Sequence, residues 1–261
     1  MQQHFEDKVV VITGGGSGVG RALCQQFAAK GARIYAADIN LAAAEDTVAR
    51  LAHNKHAGRA VRLDVSETGS WFALRRQLEQ ETEGCDILCN NAGVFRVGKL
   101  LDNPVADWFL QSRINVDGVV LGCHALAPAM VRRGGGIIVN TASLSGLIAA
   151  PELSTYTASK FAVVGFSQAL AQELAEDGVR VMVLAPGAID TPMNHDVDVP
   201  LEDRLIPPAE VAAAVLEACS GATGQQYIFT HPEFYNMLAG SYQATLDEYR
   251  HYNESVDEVV A

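Results

Sequence analysis

Apolar positions along the chain fall into short β-branched runs, separated by longer stretches in which apolar residues recur every three or four positions. The first run, KVVVIT at 8–13, is too short for a helix and ends in the glycine cluster GGGSGVG at 14–20, which predicts a buried strand entering a tight turn. The following RALCQQFAAKG places Leu23, Phe27 and Ala28 on one face and stops at Gly31, the pattern of an amphipathic helix closed by glycine. Further strand-like runs at 33–37, 60–65, 86–90, 136–141, 180–184 and 226–230 are separated by amphipathic segments of helical length. Strands that are apolar on both faces and alternate with helices need crossover connections. The pattern therefore predicts an α/β fold, a doubly wound parallel sheet of about seven strands with helices on both faces, as a single domain over 1–261.

Two stretches break the alternation. Residues 190–208 carry four prolines and a cluster of acids after the sixth strand, and a long loop at a strand C-terminal end is expected to serve a ligand; the substrate loop is placed at about 188–208. Beyond the last strand, Leu238, Tyr242, Leu246 and Tyr249 recur at helical spacing, which predicts a docked C-terminal helix and tail over about 233–261.

Composition narrows the function. The chain has 261 residues with 31 acidic against 19 basic side chains, a formal charge of −12, so nucleic acid is not an expected partner. The acidic start MQQHFEDKVV does not read as a signal peptide and no apolar stretch is expected to reach the ~18 residues of a membrane span; a cytoplasmic protein is expected. Five cysteines at irregular spacing (24, 85, 89, 123, 219) read as reduced, mostly buried thiols, with no metal site. His53 and His56 read as solvated surface, and Trp71 and Trp108 as packing anchors.

The turn from Thr13 through Gly14, Gly15, Gly16, Ser17, Gly18 and Val19 to Gly20 leaves a strand and opens a helix, where free N–H groups and the positive end of the helix dipole can hold a pyrophosphate. Eighteen residues past Gly20 stands Asp38 at the end of the second strand, where a carboxylate can accept both adenosine ribose hydroxyls and would repel a 2′-phosphate. Ser17, Ile39 and Asn40 supply no cation for that phosphate, so NAD is expected over NADP.

The spacing TGxxxGxG resembles the short-chain dehydrogenase/reductase family, specifically its simple one-domain branch, and further motifs follow in family order from residue 8 to about 192. Asn90-Asn91-Ala92-Gly93 is similar to the family's NNAG, Asp64 in LDV to its adenine-contacting position, and Tyr156-Thr157-Ala158-Ser159-Lys160 to its YxxxK pair, with Ser143 thirteen residues before Tyr156 and Asn115 in RINVDG. Pro186-Gly187 and Thr191 resemble the segment lining the nicotinamide. The resemblance implies a Rossmann-type fold, an NAD cofactor held by Gly14, Ser17, Gly18, Val19, Gly20, Asp38, Asp64, Val65, Asn91, Ala92, Gly93, Tyr156, Lys160, Pro186, Gly187, Ile189 and Thr191, and a catalytic group of Asn115, Ser143, Tyr156 and Lys160. It also implies that Asn115 fixes a helix kink and a water leading protons outward.

Each residue type suits the chemistry. Alcohol oxidation needs a base for the hydroxyl proton while hydride leaves carbon, and an isolated tyrosine, with pKa near ~10, is mostly protonated at neutral pH. Lys160 lies one helical turn after Tyr156 on the same face, so its charge can favour phenolate. Ser143 can donate to the substrate oxygen, with Ser145 as a second candidate. The expected substrate wall is apolar or small: Val94, Phe95, Leu144, Leu147, Leu153, Ala188 and Met193. With Glu152 and the acidic loop nearby, it suits a small hydrophobic secondary alcohol or ketone rather than an anion. A non-catalytic NAD-sensing protein is the alternative, disfavoured by the intact Tyr156 and Lys160. The family's larger epimerase and dehydratase branch would need Gly in place of Ser17. Helices around 113–133 and 151–176 carry Val119, Val120, Ala125, Ala127, Ala162, Val163 and Ala169, more than one sheet face is expected to cover, and the resemblance implies pairing through them into a homotetramer, with a dimer as the second choice.

Overall fold

A computed structural model describes residues 5–51, 58–195, 205–221 and 226–230. The alternation becomes β1 (Val9–Thr13), α1 (Gly18–Ala29), β2 (Arg33–Asp38), α2 (Leu41–Ala49), β3 (Arg59–Arg62), α3 (Thr68–Glu81) and β4 (Ile87–Asn90). It continues through α4 (Val105–Ser112), α5 (Gly118–Arg132), β5 (Gly136–Thr141), α6 (Ser154–Glu173), β6 (Val179–Ala185), α7 (Pro192–His195), α8 (Pro208–Ser220) and β7 (Tyr227–Phe229). The seven strands form one sheet in the order β3-β2-β1-β4-β5-β6-β7, every neighbouring pair parallel. The chain winds outward from β1 in one direction and from β4 in the other, leaving a crevice at their C-terminal ends where such sheets bind ligands.

The period of two along each strand divides the interior into two layers. Val10 and Ile12 of β1 join Leu23, Phe27, Val211 and Val215 from α1 and α8 on one face. Val9 and Val11 join Trp71, Leu88, Leu126 and Val163 on the other, under α3, α5 and α6. All five β1 residues are therefore buried, as expected of a central strand covered on both sides.

The third strand is shorter than its apolar run. Pairing stops at Asp38 opposite Arg62 because β2 ends there, with only Leu63 N–H reaching back to the Asp38 carbonyl at 2.9 Å; Asp64 thus stands beyond the strand, not at its last position. Contrary to the expectation that no stretch is long enough for a membrane span, residues 105–132 make one helical run of 28 residues with a window of mean hydropathy 1.5. Half of that window is buried, and α5 turns Val119, Cys123, Leu126 and Met130 into the core beside the sheet, which accounts for the apolar content. Between α4 and α5 the run widens into a single π-turn, Arg113–Asp117, centred on Asn115.

Burial also revises the argument from small apolar residues. Val119, Ala125, Ala127 and Val163 are covered within the chain itself, whereas Val120, Ala162 and Ala169 are exposed, as are Phe109 and Phe161. All five cysteines are free and buried, as expected. His53, His56, the acidic stretch 196–204 and the C-terminal segment 231–261 lie outside the described residues.

Candidate active site

The loops leaving β1, β4, β5 and β6 converge on a cavity of about 480 Å³. One wall is the glycine turn. Gly14 takes φ +65° and a Cβ on Gly20 would run into the Gly14 carbonyl, so the turn can close onto the start of α1 only with hydrogen at both positions. Gly14, Ser17, Gly18 and Val19 line the cavity, and Gly18 packs so closely on Thr191 that a Cβ there would lie 3.0 Å from the threonine methyl. This contact joins the turn to the segment after β6, where Pro186, Gly187, Ala188 and Ile189 also face the cavity.

The floor is Asn91, Ala92 and Gly93, held in place by the last residue of β1. Thr13 Oγ1 accepts from the backbone N–H of both Asn91 and Ala92 at 2.9 Å, and Asn91 Nδ2 donates to the Thr13 carbonyl at 3.0 Å. Thr13, the first residue of the TGxxxGxG spacing, is thus a site residue to which the motif reading gives no role; the signal available for one is a polar residue ending an apolar strand.

Asp38 reaches the turn from outside the cavity. Its Oδ2 accepts from Gly16 N–H and its Oδ1 from Asn40 N–H, each at 2.9 Å, so the carboxylate is held by two backbone donors. Asp64, Val65, Gly20 and Asn115 also do not line the cavity. Asp64 accepts from the backbone and hydroxyl of Ser66 at 3.0 and 2.7 Å. The Val65 carbonyl accepts from buried Trp71 Nε1 at 2.9 Å, fulfilling the anchor role read for that tryptophan.

The opposite wall carries Ser143, Tyr156 and Lys160 together. Ser143 caps a short 3₁₀ turn, Leu144–Gly146, and its Oγ accepts from Ser145 N–H at 3.1 Å. With one lone pair so engaged, its proton is free to point elsewhere, and its hydroxyl acts on the Tyr156 phenol to favour the phenolate. Burial pushes that phenol up to about 12, opposed by the Ser143 contact. Removing water from the phenolate thus outweighs the help that Ser143 gives it. Lys160, 4% exposed, donates to the Thr141 carbonyl at 2.9 Å and stands 5.6 Å from the Tyr156 ring centroid. Burial alone draws its ammonium down to about 8.

Asn115 stands behind this wall, fully buried in the π-turn. Its Oδ1 accepts from Val94 N–H at 2.8 Å, while Nδ2 donates to the Val94 carbonyl at 3.0 Å and to Ser159 Oγ at 3.1 Å. Ser159 in turn donates to the Tyr156 carbonyl at 2.7 Å. The helix irregularity that the resemblance implies at Asn115 is therefore present, and the side chain ties the strap after β4 to α6.

Val94, Phe95, Leu144, Ser145, Leu153 and Met193 line the remaining space. Leu147 does not: it packs into the core beneath α6, and the next residue, Ile148, takes the wall position. Among the described residues no group of three or more His, Cys, Asp or Glu side chains could hold a metal ion.

Known proteins match this arrangement. A family model described as short chain dehydrogenase matches residues 8–201. D-threitol dehydrogenase of Mycolicibacterium smegmatis is 38% identical over 229 residues, covering 84% of this chain and 88% of its own. Cyclopentanol dehydrogenase of Comamonas sp. is 35% identical over 224 residues, covering 82% and 90%. The solved structure of a short chain dehydrogenase/reductase from Burkholderia phymatum in complex with NAD superposes with a TM-score of 0.81 at 30% identity, over 92% of this chain and 94% of that one.

Proposed function

The chain belongs to the short-chain dehydrogenase family, and we propose that it is an NAD-dependent oxidoreductase passing hydride between nicotinamide and a hydrophobic secondary alcohol or its ketone, with Tyr156 as the acid and base. The observation that carries this reading is that Ser143, Tyr156 and Lys160 share one wall of the cavity whose other wall is the glycine turn.

The residues present fit a dinucleotide. The first N–H groups of α1 are open beside Gly14 and Gly18, glycines that let a pyrophosphate approach the backbone. Lys160 is a buried cation whose depressed pKa has burial as its cause, with no carboxylate among the described residues set against it, so its remaining protons can serve ribose hydroxyls. Asp38, already held by two N–H groups, favours a free 2′-hydroxyl over a 2′-phosphate. The Burkholderia phymatum structure, described with NAD, supports that preference. When bound, the nicotinamide accepts or supplies the hydride, and in its oxidised form its positive charge favours a nearby phenolate.

Within this site Tyr156 takes the proton from the alcohol hydroxyl, or returns it to the ketone oxygen. Ser143, its acceptor side engaged by Ser145 N–H, donates to the same substrate oxygen and stabilises the charge that develops there. Lys160 keeps α6 docked on β5 through Thr141 and supplies positive charge beside the phenol. The apolar lining disfavours a charged substituent, which would lose its hydration without compensation. Relatives named for threitol and cyclopentanol support a hydroxyl-bearing carbon as the reacting centre. The test is a panel of secondary alcohols offered with NAD and with NADP, read by the absorbance of reduced nicotinamide. Turnover of apolar alcohols with NAD supports the reading, and no turnover of any alcohol with either cofactor would reject it.

A further inference from the structure

Helix α4 reverses the usual order of burial. Its apolar Val105 and Phe109 are 68% and 57% exposed, whereas its one buried residue, Gln111, is polar and 0% exposed. A carboxamide removed from water persists only when its groups are bonded, and both ends of this one are. Gln111 Oε1 accepts from Arg96 N–H at 3.1 Å, and Nε2 donates to Thr155 Oγ1 at 2.8 Å.

Those two partners are the chain neighbours of two rings in contact. Arg96 follows Phe95 and Thr155 precedes Tyr156, and the Phe95 and Tyr156 rings meet edge to face with centroids 4.6 Å apart and planes at 67°. A single buried amide therefore joins the backbone beside one ring to the side chain beside the other. The strap around Phe95 is tied at alternate residues: Val94 to Asn115 at 2.8 and 3.0 Å, Arg96 to Gln111, and Gly98 N–H to the Glu152 carbonyl at 2.8 Å. Two side chains adjacent to Phe95 thus reach α6: Asn115 from Val94 to Ser159, and Gln111 from Arg96 to Thr155 at its very start.

We propose that Gln111 is a positioning residue whose amide clamps the strap at Arg96 to the start of α6 at Thr155, and so holds the Phe95 ring against Tyr156 as the wall that limits the substituent accepted on that side of the reacting carbon. The proposal rests on the dehydrogenase reading above. Gln111 touches neither the cavity nor the reacting atoms; it acts through Phe95. Side-chain length matters, because Asn would be one methylene short of joining both partners. Chemistry matters equally: Met fills the same volume but bonds neither group. Glu keeps both contacts, since a carboxyl oxygen accepts from Arg96 N–H and the Thr155 hydroxyl can rotate to donate to the other oxygen.

The experiment compares kcat/KM for 2-butanol and for 1-phenylethanol with NAD, with NADH affinity measured alongside as a control. In Gln111→Met the ratio of phenylethanol to butanol should rise about tenfold as the wall loosens, the scale on which a pocket discriminates by size. Phe95→Ala should raise it at least as far, and the Gln111→Met, Phe95→Ala double variant no further than Phe95→Ala alone, because the amide acts through the ring. Gln111→Glu should return the ratio to within about threefold of the wild type. Should Gln111→Met fail to fold, Thr155→Val removes one of the two contacts and should move the ratio in the same direction. An unmoved ratio, a fall in turnover equal for both alcohols, or effects of Gln111→Met and Phe95→Ala that simply add would each overturn the assignment. A wild-type chain inactive on every alcohol would overturn the dehydrogenase reading and this one with it, whereas an active wild type with unresponsive variants overturns only the role of Gln111.

Discussion

Lys160 Nζ donates to the backbone carbonyl of Thr141 at 2.9 Å, so a buried ammonium with no carboxylate among the described residues set against it joins the helix of Tyr156 to the strand that leads to Ser143. Its pKa is drawn from 10.5 down to about 8 by burial. In the unfolded chain the lysine binds a proton up to the higher value, so folding carries a penalty that is full below pH ~8 and fades as pH rises toward ~10.5. Lys160→Met should therefore stabilise the protein by on the order of 1–3 kcal/mol at neutral pH, the lost Thr141 contact offsetting part of the gain. The advantage should shrink by pH ~10 while alcohol turnover is lost throughout. Thermal unfolding of both proteins across this pH range checks it, and a destabilised variant at neutral pH would refute it.

Tyr156→Phe removes one oxygen from a side chain whose ring is already packed against Phe95. Turnover should fall by about 10²–10⁴-fold, the usual contribution of a positioned proton carrier, with unchanged melting temperature and NADH affinity. Near-parental kcat in this variant would remove the tyrosine from proton transfer.

Asp38 carries a charge held by Gly16 and Asn40 N–H groups. Asp38→Ala deletes both the repulsion of a 2′-phosphate and the acceptor for ribose, so the ratio of kcat/KM for NADP over NAD should rise by roughly 10- to 100-fold, the equivalent of one charge-assisted hydrogen bond. A wild-type enzyme equally efficient with both cofactors would contradict the premise.

The order of strands and helices was legible because each element announces itself locally, β1 by five apolar or β-branched residues before a glycine and α1 by its stripe of Leu23 and Phe27. The placement of β1 between β2 and β4 was not written in any window of sequence, since it follows from crossover handedness and layer packing. The same division holds at the site. Tyr156 and Lys160 sit in one helical turn and could be read together, whereas the partners that support them are distant: Thr13 and Asn91 are 78 residues apart, Gln111 and Thr155 are 44 apart. Leu147 shows the limit at short range. The 3₁₀ turn at Leu144–Gly146 rotates it into the core and leaves Ile148 at the cavity, a choice that apolar character alone does not distinguish.

The surface beside the site bears on assembly. Leu101, Val105 and Phe109, at or near α4, are 94%, 68% and 57% exposed, and Phe161 on α6 is 45% exposed. A second cavity of about 410 Å³ lies between the start of α4 and α6, lined by Leu100, Val105 and Trp108 against Ser154, Thr155 and Ala158. Covering such side chains would contribute roughly 1.5–3 kcal/mol for each one fully buried. These residues, with the exposed Val120, Ala162 and Ala169, are the ones expected to carry the association that the family resemblance implies. Isologous pairing would place α4 and α6 of one copy against those of the next. Light scattering at micromolar concentration should give a dimer or tetramer, and Phe109→Asp with Phe161→Asp should dissociate it, because each aspartate would place a charge in an apolar contact. A monomeric wild-type chain, or an assembly indifferent to both changes, would show that these helices do not form the contact.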